Sequence, residues 1–339
     1  MKKNIFFSLL IGCLLFLSTF GYAQDTLVVY TVFDANQTKI YEDAFKQVHP
    51  NINLEWVRDS TGPITARLLA EKNNRQADVI WGIAATSLMV LKKQNMLEPY
   101  ASPDSHNLKA NFKDQDRIPS WIGMDAWASA ICFNTKEAKK LNLSKPSSWQ
   151  DLLKPEYKNH IVMPNPNSSG TGYLTVSAWI QTMGEQKAWA YMDDLHKNIG
   201  TYLHSGSKPC TETGRGEYPI GISYAYLGVM EKNKGAPLDI ILPKEGLGWE
   251  MEGAAIMKGT KKLEMAKRLL DFAASKKANE LYSHGYSVVA YPGIKPQIPG
   301  YPEGEEELLI KNDLLWAAEN HDRIVEEWEK RYGQKNAPQ

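Results

Sequence analysis

Adjacent hydroxyl side chains beside a glycine recur at three places in the chain: Ser60-Thr61-Gly62, Ser168-Ser169-Gly170-Thr171 and Ser205-Gly206-Ser207. Each follows a short strand-like run and precedes a helix-like segment. A helix start offers unpaired backbone N–H groups and the positive end of the helix dipole, and glycine lets an oxyanion approach the main chain. The Ser and Thr hydroxyls add donors without formal charge. Taken singly, "STGP" is an ordinary N-cap and "HSGSKP" a turn. Together, three such corners from both halves of the chain point to one shared anion pocket.

A second group could hold a cation. Asp125 in "GMDAWASA" and Glu252 in "GWEMEGAA" are carboxylates beside apolar segments, and a buried carboxylate needs a partner, from the protein or from a ligand ammonium. Tyr30, Trp81, Trp127, Tyr224 and Tyr226 lie at or near strand ends, where aromatic faces suit a cation. Core packing is the plain alternative for each.

The elements that must position these groups alternate. "TLVVYTVF" (26–33), "INLEWVRD" (52–59) and "ADVIWG" (77–82) read as strands, each followed by a helical pattern. The first helix is predicted to bury Ile40, Ala44, Phe45 and Val48, and the second Ile64, Leu68 and Leu69. Further strands are predicted at 126–134, 159–166, around 199–204, within "YPIGISYAYL" (218–227), and at 239–246 and 254–259. Two amphipathic helices then precede a charged surface helix near the C-terminus. This order gives an α/β protein with a mostly parallel sheet, in which ligands sit outside the carboxyl ends of strands. The hydroxyl corners occupy such positions.

The N-terminal "MKKNIFFSLLIGCLLFLSTFGYAQ" joins a basic start, an apolar run and a small-residue cleavage site, the pattern of a secretory signal peptide over residues 1–23. "LLIGC" ending at Cys13 superficially resembles a lipoprotein box, but the apolar run continues past it, so soluble periplasmic export is expected rather than a lipid anchor. Lys plus Arg and Asp plus Glu each number 39 in 339 residues, a neutral balance that argues against nucleic acid or an acidic membrane as partner. Past the leader, Cys132 and Cys210 form either a disulfide or two separate buried thiols, and metal-ligand spacing is absent.

"VRDSTGPITARLLAEKNNRQADVIWGIAATS", "GMDAWASAICFNT", "VMPNPNSSGTGYLTVSAWI", "HSGSKPC" and "PKEGLGWEMEGAAIMKGTKKLE" resemble the substrate-binding proteins of ABC importers, specifically those assigned to 2-aminoethylphosphonate. The resemblance implies a two-lobed type 2 periplasmic-binding fold, related to ferric-ion binders, with a ligand cleft between lobes and hinge closure. It places the first lobe at 24–130 and 250–339 and the second at 131–249. It also implies a permease and an ATPase as partners, a monomer and no cofactor. The phosphonate role falls on Ser60, Thr61, Ser169, Gly170, Thr171, Ser205 and Ser207. The ammonium is then assigned to Asp125, with Tyr30, Trp81 and Tyr224 enclosing it and Glu252 as the alternative carboxylate.

Two other readings remain. A ferric-ion receptor of the same fold would use Tyr224 and Tyr226, which as i and i+2 on a strand would share a face. A secreted hydrolase is disfavoured, because GxSxG and HExxH are both missing from the sequence.

Overall fold

The computed structural model describes residues 25–338; the leader and Cys13 lie outside them. Eleven strands are formed: β1 (Asp25–Thr31), β2 (Ile52–Arg58), β3 (Val79–Ala84), β4 (Leu97–Glu98), β5 (Ile122–Asn134), β6 (Ile161–Pro164), β7 (Ile199–Leu203), β8 (Ile220–Tyr224), β9 (Leu238–Ile241), β10 (Trp249–Met257) and β11 (Val288–Val289). The helices are α1 (Ala35–Val48), α2 (Thr61–Ala70), α3 (Ala85–Lys93), α4 (Thr135–Leu141), α5 (Gly170–Met183), α6 (Glu185–Asn198), α7 (Lys208–Arg215), α8 (Ala225–Asn233), α9 (Leu263–Ala274), α10 (Lys276–Tyr282), α11 (Glu305–Leu308) and α12 (Leu314–Tyr332).

Strands run in the order β2-β1-β3-β10-β5-β8-β6-β7. At one end β1 pairs in parallel with β2 and β3, and at the other β6 pairs in parallel with β7 and β8. Between them β10 and β5 run antiparallel to their neighbours. The sheet is therefore mixed, not mostly parallel. β5 is the member common to both halves: residues 122–128 pair with β10, and 129–133 pair with β8. All thirteen of its residues are buried, the polar Asp125, Ser129 and Asn134 included, as expected for a strand covered on both faces.

Two large apolar clusters flank this crossing. One gathers β1, β3, α9 and α10 around Leu27, Trp81, Leu269 and Tyr282. The other gathers Ile131, Ile161, Trp179, Leu195 and Ile220. Two expectations fail in instructive ways. Helix α1 turns Tyr41, Ala44 and Phe45 inward and leaves Ile40 and Val48 more than half exposed, because the ring of Tyr41 packs edge-on against Phe33 and Tyr282. Helix α12 is not a mere surface helix: Ala317, Ile324, Val325, Trp328 and Tyr332 join the second cluster. The same helix also packs along α3, and Leu314 lies against the first cluster, so 314–332 bridges the two clusters.

Cys132 on β5 and Cys210 on α7 are joined by a disulfide, with Cα atoms 5.5 Å apart. It ties α7 to the crossing strand. Among the described residues no helix is long and apolar enough to cross a membrane.

Candidate functional site

The first turns of three helices, α2, α5 and α7, meet at a cavity of about 480 Å³ between the two clusters. Each helix follows a strand of the parallel arrays, β2, β6 or β7, so its N-terminus lies at a strand's carboxyl end. Ser60, Thr61, Ser169, Gly170, Thr171, Ser205 and Ser207 all line the cavity.

Their hydroxyls differ in how much the protein itself uses them. Ser60 stands at the N-cap of α2 but its side chain makes no capping bond. Ser169 does cap α5, its Oγ accepting from the Gly172 amide at 3.2 Å. Ser205 and Ser207 are within 2.9 Å of each other, oxygen to oxygen. The reading of these segments as plain helix caps therefore holds for Ser169 and fails for Ser60.

Glycine decides how closely the walls approach. A Cβ on Gly170 would stand 2.7 Å from Thr61 Oγ1, and one on Gly206 would stand 2.5 Å from Thr171 Oγ1. Gly62 donates its amide to the Ser168 carbonyl at 3.1 Å across the cleft, and a Cβ there would meet the Asn167 carbonyl oxygen. The three corners thus form one continuous wall of donors.

The opposite wall is built from Asp34, Gln37, Trp127, Tyr224, Glu252 and Tyr286. Arg58 hydrogen-bonds the Phe33 carbonyl and, at 2.9 Å, Asp34 Oδ1. His204 Nε2 lies 3.3 Å from Asp59 Oδ1, a second contact across the cleft. Tyr286 donates its hydroxyl to Glu252 Oε2 at 2.9 Å and receives Gln37 Nε2 at 3.2 Å. Burial raises the Glu252 carboxyl to about 8, opposed by the Tyr286 bond and reinforced by Asp34. Tyr224 is likewise pushed well above its ordinary range by burial, then by the Asp34 and Glu252 carboxylates.

Three residues expected at the cation end are elsewhere. Tyr30 points away from the cavity: its hydroxyl donates to Glu71 at 2.9 Å and the Arg67 guanidinium sits 4.9 Å over its ring. Trp81 is fully buried, donating Nε1 to the Tyr282 hydroxyl and packing on Trp56, Tyr41 and Phe272. Asp125 is fully buried beneath Glu252, its partner in the β5–β10 register, and does not reach the cavity. Tyr226 is not on a strand with Tyr224; it lies in the first turn of α8 and stacks on Tyr286 at 5.8 Å.

Sequence reasoning missed Arg58, Gln37 and Tyr286. Asp34 and Lys208 were visible as strand-end residues, without either being given a role. Nothing local marks Tyr286, which reaches the site from a loop after α10.

Residues 74–317 match the bacterial extracellular solute-binding protein family. The chain belongs to that family. This solute-binding protein is also similar in structure to the periplasmic binding protein AfuA from Actinobacillus pleuropneumoniae, solved with exogenous fructose-6-phosphate bound: 30% identity, TM-score 0.85, covering 92% of this chain and 99% of that one. A periplasmic-binding protein of Sinorhizobium fredii named for an ABC transporter is 24% identical over 89% of this chain and 84% of its own. A periplasmic protein of Salmonella typhi named for 2-aminoethylphosphonate binding is 24% identical over 76% of each chain.

Proposed function

We propose that this solute-binding protein is the receptor of an ABC importer, taking a small phosphorylated solute into the interlobe cavity and handing it to a permease driven by an ATPase. The observation that carries this reading is the meeting of three hydroxyl-bearing helix starts on one cavity, with the Ser60 hydroxyl left unused by the fold. Such a wall suits three oxygens of a phosphoryl group, which helix N-termini and hydroxyls hold without a large net charge.

For the rest of the solute we favour a hydroxylated chain, as in a sugar phosphate. A cavity of about 480 Å³ leaves room beyond a phosphoryl group for such a chain. Gln37, Asp34, Tyr224 and Glu252 can pair with hydroxyls, and the AfuA likeness at 30% identity supports the same class. The second reading is 2-aminoethylphosphonate, favoured by the Asp34 and Glu252 carboxyls and by the Salmonella relative. Asp125, the expected ammonium partner, is out of reach.

Calorimetric titration with fructose 6-phosphate, 2-aminoethylphosphonate and inorganic phosphate tests this. Tightest binding of the hexose phosphate is expected, with phosphate weaker. Tightest binding of 2-aminoethylphosphonate would select the second reading, and no binding of any of the three would overturn the phosphoryl clamp.

A further inference from the structure

We propose that Asp125 and Glu252 form a proton-holding carboxyl pair, so that Glu252 meets the solute as a neutral hydrogen-bond donor and selects tails that present oxygen over tails that carry an ammonium. The selectivity rests on the phosphorylated-solute reading above; the proton on the pair does not.

The two residues face each other in the antiparallel β5–β10 register. Asp125 is fully buried, and its carboxyl oxygens have no side-chain partner, the backbone amide of Glu252 being the donor beside them. Glu252 is 7% exposed, and that remnant opens on the cavity. Two carboxyls held side by side away from water do not both ionise, and a lone buried carboxylate without a cation is costlier still.

The groups packed around the pair supply no such cation. From β1's end comes Asp34, which raises Glu252 further. Tyr41 on α1, Tyr282 on α10 and Tyr286 beyond it all feel the Asp125 and Glu252 charges. Tyr224 on β8 feels Glu252, and Tyr226 on α8 couples to Tyr224 and Tyr41. The phenols are themselves raised by burial. The strand neighbours β3 and β11 place Ala84 and Val289 opposite Glu252 and Asp125. Of the cations lining the cavity, Arg58 is bonded to Asp34 and the Phe33 carbonyl, and Lys208 stands with the hydroxyl corner at the start of α7; neither bonds Glu252 or Asp125.

The bonding of Glu252 fixes which oxygen is left for the solute. Oε2 accepts the Tyr286 hydroxyl proton, so Oε1 is free to carry the acid proton. A protonated carboxyl has one O–H to donate, whereas an ionised one only accepts. The acid form therefore pairs with a hydroxyl, ether or carbonyl oxygen of the solute. An ammonium would first have to expel the proton. Asp125 never touches solute: fully buried with no cation beside it, it keeps its own proton, while burial and the Asp34 carboxylate hold the proton on Glu252.

The test uses the full chain, Glu252→Gln and Asp125→Asn. Infrared difference spectra of the ligand-free protein report protonated carboxyls directly. Calorimetry with fructose 6-phosphate and 2-aminoethylphosphonate from pH 6 to pH 9, in two buffers of different ionisation heat, reports affinity and protons exchanged. A group titrating near 8 predicts that wild-type affinity for the hexose phosphate falls about tenfold between pH 7 and pH 9. Glu252→Gln should bind with an affinity that no longer falls between pH 7 and pH 9, because its amide has no proton to lose. Asp125→Asn, which keeps a neutral group beside Glu252, should leave that fall in place; a fall displaced by a pH unit or more would show that Asp125 is ionised in the wild type and would overturn the pair. Wild-type affinity that is flat or rises with pH would overturn the proposal. If neither solute binds at any pH, the ligand reading fails instead. The infrared arm then decides the pair alone: a protonated-carboxyl band at pH 7 that Glu252→Gln removes sustains it, and no such band overturns it.

Discussion

Thr61 and Gly170 meet across the cleft so closely that a methyl group on the glycine would lie 2.7 Å from the threonine Oγ1. The contact joins a helix start of one lobe to a helix start of the other, and it exists because residue 170 has no side chain. Gly170→Ala is therefore expected to hold the walls apart and to weaken solute binding at least tenfold, while leaving the thermal midpoint nearly unchanged. Calorimetry and small-angle scattering with saturating solute check both halves. Gly62→Ala, opposed by the Asn167 backbone oxygen rather than by a side chain, should cost more.

Ser60 and Ser169 separate binding from folding. Ser60 makes no capping bond, so Ser60→Ala should cost roughly 1–3 kcal/mol of binding through the lost solute partner with unfolding unaffected. Ser169 also caps α5, so Ser169→Ala should lose a similar amount of binding and about 1 kcal/mol of stability. Equal affinities for Ser60→Ala and wild type would remove that corner from the site.

What could be read from the chain depended on whether a signal was local. The hydroxyl corners at 60–61, 169–171 and 205–207 were legible because strand ends, glycines and helix starts all leave short-range marks. The cation end was not. Tyr30 and Trp81 lie on strands whose two faces cannot be told apart in a fully buried run, and both turned out to face the core, held by Glu71 and by Tyr282. Asp125 and Glu252 were recognised as carboxylates needing partners, but their pairing depends on the β5–β10 register, and Tyr286 arrives from 34 residues beyond Glu252. The C-terminal helix misled by its charge: Glu and Lys dominate its outer face, while Trp328 and Tyr332 sit in the second core.

Tyr30 supplies a control. Because its hydroxyl is committed to Glu71 behind the cavity wall, Tyr30→Phe should leave solute affinity within twofold of wild type. A larger loss in calorimetry would return this ring to the site.

The disulfide between Cys132 and Cys210 closes a loop of 78 residues. By the chain-entropy account a loop of this length contributes about 4.5 kcal/mol, above the roughly 2–4 kcal/mol such bonds usually deliver. Reduction, or Cys210→Ser, is expected to lower the urea midpoint and to steepen the denaturant slope, because the released unfolded chain exposes more surface. An unchanged midpoint after complete reduction would show that the bond adds nothing to stability.

Stability should fall between pH 7 and pH 9, and the sign follows from burial. Glu252 is raised to about 8 and Glu250 to about 7, both chiefly by desolvation. Above the ordinary carboxylate range the unfolded chain has already released these protons while the folded chain keeps them. Folded protein thus binds more protons than unfolded, and stability declines as pH rises towards the folded values. His49 and His196, lowered by burial, act in the opposite direction but only below about pH 6.5, outside this window. Carboxyls lowered by hydrogen bonds, such as Glu156 and Glu185, matter only in acid. Asp125, raised well above its ordinary range by burial, adds in the same direction. The expected loss is at least about 1–2 kcal/mol from pH 7 to pH 9, read from urea unfolding at each pH. Glu252→Gln should remove about 1 kcal/mol of it, because a neutral amide has no proton to surrender. A wild-type protein equally stable at both pH values would mean that Glu252 is ionised in the fold.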